Sequence, residues 1–288
     1  MTKYFKFKPK ILIFLLLISF LRLGHTVESA PNATGSVIVN VEVVKNIGAY
    51  QYAYEIFYKS TDATLPPIGV FRVDLRHNPS AHRLIDFDPE QESWAEHMRQ
   101  LNETPRVYPT RKLAPIKWDH TNVFQTPYHG WWSCPMSIHK ECLQPGHVLK
   151  DFIFMALEPP GVRGYVVEAS DGLDSSFETS GHTIAPVAPP DPFTVSTWTA
   201  RMQSDVVEAR KQSWIKTDKG LKEIQDLISA LNMQDKKKLK KAVKVMERYA
   251  VKELKAGSIT GEADALVRLN ALYLLKRVEV GDFVKEQK

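Results

Sequence analysis

An antiparallel, Ig-like β-sandwich followed by a small all-α helical bundle is the architecture that this 288-residue chain predicts. Three observations carry it. Between Ser36 and about Ile184, short segments alternate apolar and polar residues with a period of two. Residues 185–195 are dense in proline. Beyond them the apolar residues recur every three or four positions, the period of a helix packed on one face. The expected organisation is a signal peptide at 1–29, a β-sandwich domain at 30–184, a proline-rich linker at 185–195 and a helical bundle domain at 196–288.

The leader has the three parts of an export signal. Lys3, Lys6, Lys8 and Lys10 make a basic start, an apolar run spans Ile11 to Leu21, and a short polar exit follows. Eleven residues at ~1.5 Å each reach about half of a ~30 Å bilayer core, too little for an ordinary spanning helix. The expected destination is secreted, periplasmic or extracellular, with no transmembrane span in the mature chain. On that route Asn32-Ala-Thr34 and Asn102-Glu-Thr104 fit the N-glycosylation sequon, which matters in a eukaryotic secretory pathway.

Strands follow. Ser36-Val-Ile-Val-Asn-Val-Glu-Val-Val44 puts Val37, Val39, Val41 and Val43 on one face. Tyr50-Gln-Tyr-Ala-Tyr-Glu-Ile-Phe-Tyr58 does the same with Tyr50, Tyr52, Tyr54 and Ile56. After Pro66-Pro67 the strand character resumes over Ile68 to Leu75, and again over Val148 to Leu157 and Arg163 to Ala169. Residues 77–130 read as long connections, with a short helix around Ser93 to Leu101. Ala185-Pro-Val-Ala-Pro-Pro-Asp-Pro192 resists both helix and central strand.

The helical part opens with a segment from Ser196 to Ser213. Asp218 caps a helix carrying Leu221, Ile224, Leu227, Ile228 and Leu231 on one face. Leu239, Val243, Met246, Ala250 and Leu254 line a longer one that stops at Gly257. Ser258 or Thr260 starts the last, with Ala263, Leu266, Leu269, Leu272 and Tyr273 facing inward.

Charge separates the two parts. Without residues 1–29 the chain holds 33 basic and 32 acidic side chains, so its basic character belongs to the leader and gives no reason to expect nucleic acid. Residues 30–195 carry 13 basic and 19 acidic groups, and residues 196–288 carry 20 and 13. The helix spanning 235–255 concentrates nine of those cations, making it a candidate contact for an anionic envelope surface. Docking on the acidic β part is a second use of the same residues, and a solvated helix face is the plainer reading. The two cysteines, Cys134 and Cys142, lie eight positions apart and predict one disulfide closing a short loop in an oxidising compartment.

Tyr50-x-Tyr-x-Tyr, Ile68-x-Val-Phe, Gly130-Trp131-Trp132, Pro145-Gly-x-x-Leu149-x-x-Phe152-x-Phe154 and Pro160-Gly161 resemble a broad group of uncharacterised exported bacterial β-sandwich proteins. Gly257-x-Ile259-Thr260-x-Glu262-Ala263-x-x-Leu266 is similar to the helical hairpin regions that end bacterial surface proteins. The resemblance implies the fold and export, and no reaction.

Candidate chemistry is confined to a few places. Tyr128, Trp131 and Trp132, with Trp94 and Trp118 nearby, are the ligand-binding candidates, because aromatic faces stack on sugar rings. Burial in the core is the competing use of the same rings. His129, Cys134, His139, Cys142 and His147 have zinc or copper donor types, with the disulfide as the alternative fate of the thiols. His82, Asp86, Asp88 and His120 are a second histidine–carboxylate set, and Glu55, Asp74, Asp86 and Asp88 are the carboxylates from which a glycosidase pair would be drawn. Gly-x-Ser-x-Gly, the Walker A pattern, Gly-x-Gly-x-x-Gly and His-Glu-x-x-His are absent. The expectation is a non-catalytic exported binding or structural protein, without cofactor, that recognises a carbohydrate or protein through loops of its β part. The alternative is an exported metal-dependent hydrolase using loop histidines, with His82, His120, His129 or His139 converging in one pocket; His129, His139 and His147 are the alternative metal ligands.

Overall fold

The computed structural model describes residues 37–46, 49–60, 62–75, 111–116, 118, 129–135, 141–170 and 176–285. The leader, both sequons, Tyr128, His139 and the set His82, Asp86, Asp88 and His120 lie outside them. Among the described residues no helix is long and apolar enough to cross a membrane.

Among the described residues eight strands form two antiparallel sheets. The first sheet holds β1 (Val37–Asn46), β2 (Ala49–Tyr58), β6 (Val148–Ala156) and the short β4 (Arg111–Leu113), in the order β1-β2-β6-β4. The second holds β5 (His129–Ser133), β3 (Ile68–Asp74), β7 (Pro160–Ser170) and β8 (Ser176–Pro186), in the order β5-β3-β7-β8. β1, β2, β3, β6 and β7 occupy the segments whose period predicts them. β4, β5 and β8 do not: β4 and β5 are three and five residues long, and β8 is rich in Ser and Thr, so none shows a sustained apolar alternation.

The sheets meet across an aromatic layer. Tyr54 and Phe154 from the first sheet and Phe71 and Trp132 from the second are all essentially unexposed. Phe71 stacks on Trp132 with centroids 5.2 Å apart, and Trp132 lies 4.6 Å from Phe154. Each polar tip finds a backbone carbonyl. Tyr52 Oη donates to Glu158 at 2.8 Å, Tyr54 Oη to Ile184 at 2.9 Å and Trp132 Nε1 to Leu113 at 2.8 Å. Burial holds the Tyr52 and Tyr54 phenols well above their ordinary range, so they remain neutral donors.

Five helical pieces follow: α1 (Val195–Lys211), α2 (Asp218–Ser229), α3 (Lys236–Lys255), α4 (Gly261–Asp264) and α5 (Asn270–Val280), with a π-helical turn at Ala265–Leu269 between the last two. Thr217, one residue before the expected Asp218, caps α2 by accepting from Gly220 N. Asp235 caps α3 through Lys238 N, and Gly257 ends it at φ 68°.

The helices are not a free-standing bundle. One continuous apolar core runs from the sheets through Phe193, Trp198, Met202, Ile228, Met246 and Leu274. Residues 185–195, expected as a linker, join the two parts but are themselves packed, with Val187 and Phe193 buried. Phe193 and Tyr273 both ring Trp198, at 5.4 and 4.9 Å.

A polar knot fastens this junction. Asn270 is fully buried and donates to the carbonyls of Pro160 at 2.9 Å and Leu266 at 2.8 Å. Trp198 Nε1 donates to Asn270 O. Arg201 lies over the Trp198 ring at 4.3 Å, donates to Pro160 O and pairs with the buried Asp205 at 3.0 Å. The π turn sits immediately before Asn270 and so sets how that side chain meets β7.

Gly161 is required here by space. A Cβ at this position would come within 2.3 Å of Val187 Cγ2 and 2.8 Å of Arg201 Nη2. Gly161→Ala is therefore expected to destabilise by about 1–3 kcal/mol through overpacking. The Gly161→Ala/Val187→Ala double variant should lose less than the sum of the two single losses, as read by urea unfolding of all three. Strict additivity would mean that Val187 is not the obstruction.

Candidate functional site

The residues with the clearest local architecture surround the disulfide. Cys134 and Cys142 have their Sγ atoms 2.11 Å apart and close the connection between β5 and β6. Both ends of that connection are bound to the start of β3. Cys134 N donates to Gly69 O at 2.7 Å, and Ile68 and Leu143 exchange two backbone hydrogen bonds at 2.9 and 3.1 Å. Closing so short a loop contributes on the order of 2–3 kcal/mol in the chain-entropy model. The loop is thus fastened at its base to a central strand, the arrangement in which a rigid scaffold presents a connecting segment.

The register separates the two tryptophans. Trp132 pairs with Phe71 and Trp131 with Arg72. Trp132 is wholly buried between the sheets, so as a ligand-binding candidate it is corrected to a core residue. It is the largest ring available where β5 crosses Tyr54, Phe71, Phe152 and Phe154. Trp131 lies directly across from Arg72, whose Nη2 is held by Glu168 and reaches Glu178 at 3.4 Å. A charged ladder therefore crosses β3, β7 and β8 beside the Trp131 position.

The metal donors fare differently from one another. The disulfide removes both thiolates from the zinc or copper set, because a thiolate is the form that ligates. His147 is exposed, with Nδ1 3.0 Å from Pro145 O. His129 pairs with Asp74 in the β3–β5 register, and His139 lies outside the described residues. Among the described residues no group of three histidine, cysteine or carboxylate side chains is arranged to hold a metal ion.

The carboxylates do not make a pair either. Glu55 lies on β2, on the face away from the core-facing Tyr54 and Ile56, while Asp74 is buried on β3 in the other sheet. Lys150 bonds Glu55 at 2.6 Å and thereby holds its carboxyl below the usual range, with Asn40 adding a weaker bond. Asp86 and Asp88 lie outside the described residues.

Two polar clusters escape a reading of the sequence alone. One is the knot of Arg201, Asp205 and Asn270 at Pro160-Gly161. The other ties β8 to the end of α1: Gln212 Nε2 meets His182 Nδ1 and Glu208 Oε1, each at 2.9 Å. Burial alone would raise the Glu208 carboxyl, but hydrogen bonds from Lys211 and Gln212 and the neighbouring His182 hold it below its ordinary range. Both clusters bind helix to sheet, the first across 110 residues between Asn270 and Pro160, the second between the neighbouring elements β8 and α1. The signal that precedes them in the sequence is slight: a Pro-Gly step and an Asn amid apolar residues.

No protein-family model matches the chain, and no curated protein matches it.

Proposed function

We propose that this is an exported, non-catalytic binding or structural protein of the cell envelope or extracellular space. In this reading its Ig-like β-sandwich recognises a carbohydrate or protein ligand through the chain around Tyr128, Trp131 and the disulfide-closed loop, while the helical face 235–255 contacts an envelope surface. One observation carries the ligand reading. β5 places Trp131 across from the Arg72–Glu168–Glu178 ladder and leads directly into a loop fastened to β3 at its base. An aromatic beside fixed charged groups is the combination that orients a sugar ring or a peptide edge. The disulfide agrees with an oxidising compartment.

The test compares adjacent tryptophans on a panel of immobilised oligosaccharides. Trp131→Ala is expected to weaken retention of the bound sugar about tenfold or more, while the unfolding midpoint stays within a few degrees of the parent. Trp132→Ala should instead lose stability. Equal destabilisation by both variants, with no sugar retained by the parent, would reject the binding role. Metal analysis of the same preparation separates the hydrolase alternative: about one zinc or copper per chain, lost on replacing His129, His139 and His147, would favour it.

A further inference from the structure

We infer that the outer face of α3 docks on an anionic phospholipid bilayer, an inference that rests on the envelope-contact reading and gives it a chemistry. Leu239, Val243, Met246 and Ala250 face the core. At 100° per residue, Lys237, Lys241, Lys244, Arg248, Lys252 and Lys255 all fall within about 50° of the opposite direction. All six are exposed. They recur at four, three, four, four and three positions, a straight cationic stripe about 27 Å long at ~1.5 Å per residue.

The stripe is unfavourable to the helix that carries it. Its neighbours are like charges at i, i+3 and i, i+4, each pair costing an isolated helix a few tenths of a kcal/mol. The first turn holds Lys236 and Lys238 besides Lys237, so three cations meet the positive end of the helix dipole, with the capping Asp235 as the acid beside them. Among the described residues the ion pair recorded on the stripe is Lys252 with Glu253, at 3.3 Å, in which the lysine side chain remains 78% exposed. Asp235 faces Lys237 at the N-terminus and Arg248 Nε donates to the Lys244 carbonyl at 3.2 Å; the remaining cationic surface points outward, and an external anionic surface is what the arrangement complements.

Flatness and composition select a bilayer over a soluble polyanion. The stripe is linear and as long as the helix, and it is flanked by Val245 and Val251, 48% and 41% exposed. Phosphate headgroups pair with the ammonium and guanidinium groups, while the valines enter the interfacial layer. A free polyanion offers the valines nothing.

The experiment is co-sedimentation with phosphatidylcholine vesicles with and without phosphatidylglycerol, using residues 30–288 and the full chain in parallel so that the leader's contribution is seen. Binding is expected only with phosphatidylglycerol, falling steeply with added salt. Lys241→Glu/Arg248→Glu/Lys252→Glu should weaken it about a hundredfold with an unchanged thermal melt. Val245→Ser/Val251→Ser should weaken vesicle binding several-fold and leave binding to inorganic polyphosphate unaltered. Equal binding to both vesicle types, or a triple variant that binds like the parent, would overturn the inference. Tight polyphosphate binding without vesicle binding would overturn the bilayer while sparing the envelope contact. Failure to bind either would remove both, and the oligosaccharide test of the β side is unaffected by any of these results.

Discussion

Trp132→Ala is expected to cost about 3–5 kcal/mol of folding stability, the range for removing a large aromatic from a packed interior. Trp132 is wholly buried and touches rings from three other strands, Tyr54 on β2, Phe71 on β3 and Phe152 and Phe154 on β6. Removing it deletes contacts to both sheets at once and leaves a void that neither sheet can close without changing register. It also strands the Leu113 carbonyl that accepts from Nε1, loosening β4 from its neighbours. Against a total stability of roughly 5–15 kcal/mol, this is about a fifth of it or more. Urea unfolding followed by tryptophan fluorescence and circular dichroism measures the loss. Trp132→Phe keeps most of the volume but not the donor, so it should retain more than half of the difference. A loss below about 1 kcal/mol for the alanine variant would place Trp132 outside the core.

Arg201→Met should be of similar size, about 3–5 kcal/mol, for an electrostatic reason. The Arg201 and Asp205 side chains are only 14% and 11% exposed, and the guanidinium also covers Trp198 and donates to Pro160 O. Methionine replaces the aliphatic length but leaves the Asp205 carboxylate buried without its cation. The cost is therefore set mainly by the unpaired acid, and Arg201→Met/Asp205→Leu should recover much of it because no uncompensated charge remains. The double-mutant cycle by chemical denaturation decides between this account and one in which Arg201 merely fills space. In the second case the double variant would be at least as unstable as the single one. Because the knot joins α1 to β7, the single variant should also loosen the helices before the sheets, seen as faster amide exchange at Trp198 and Asn270 than at Phe71.

Much of the fold is legible along the chain because burial writes a period. β2 is the clearest case: its Tyr and Ile positions alternate in the sequence, and they alternate in burial along the whole strand. α3 is equally plain, from Asp235 as cap through its core stripe to Gly257. The disulfide follows from the only two cysteines, eight positions apart. β8 was not legible, since over Ser176–Ser180 the apolar signal reduces to Phe177, and Ile184 and Ala185 follow only after a polar Gly-His-Thr stretch. β5 was hidden because five residues carry less than three turns of a two-residue period.

For the candidate site the division is finer. Adjacent tryptophans on a strand must point to opposite faces, and that much is local geometry. Which of them enters the core depends on register, and register is set by pairing with β3, nearly sixty residues away. The same holds for the junction. A proline-dense stretch and a change of period announce two parts, but the sharing of one core depends on Phe193, Trp198 and Tyr273 meeting across eighty residues of chain. By itself the sequence determined the strands of strong period, the helical segments, the cysteine pair and the cationic stripe. All of these rest on interactions within a few residues. Only the tertiary structure decided the inward tryptophan, the packed linker and the Arg201–Asn270 knot, because each depends on which distant surfaces fit together.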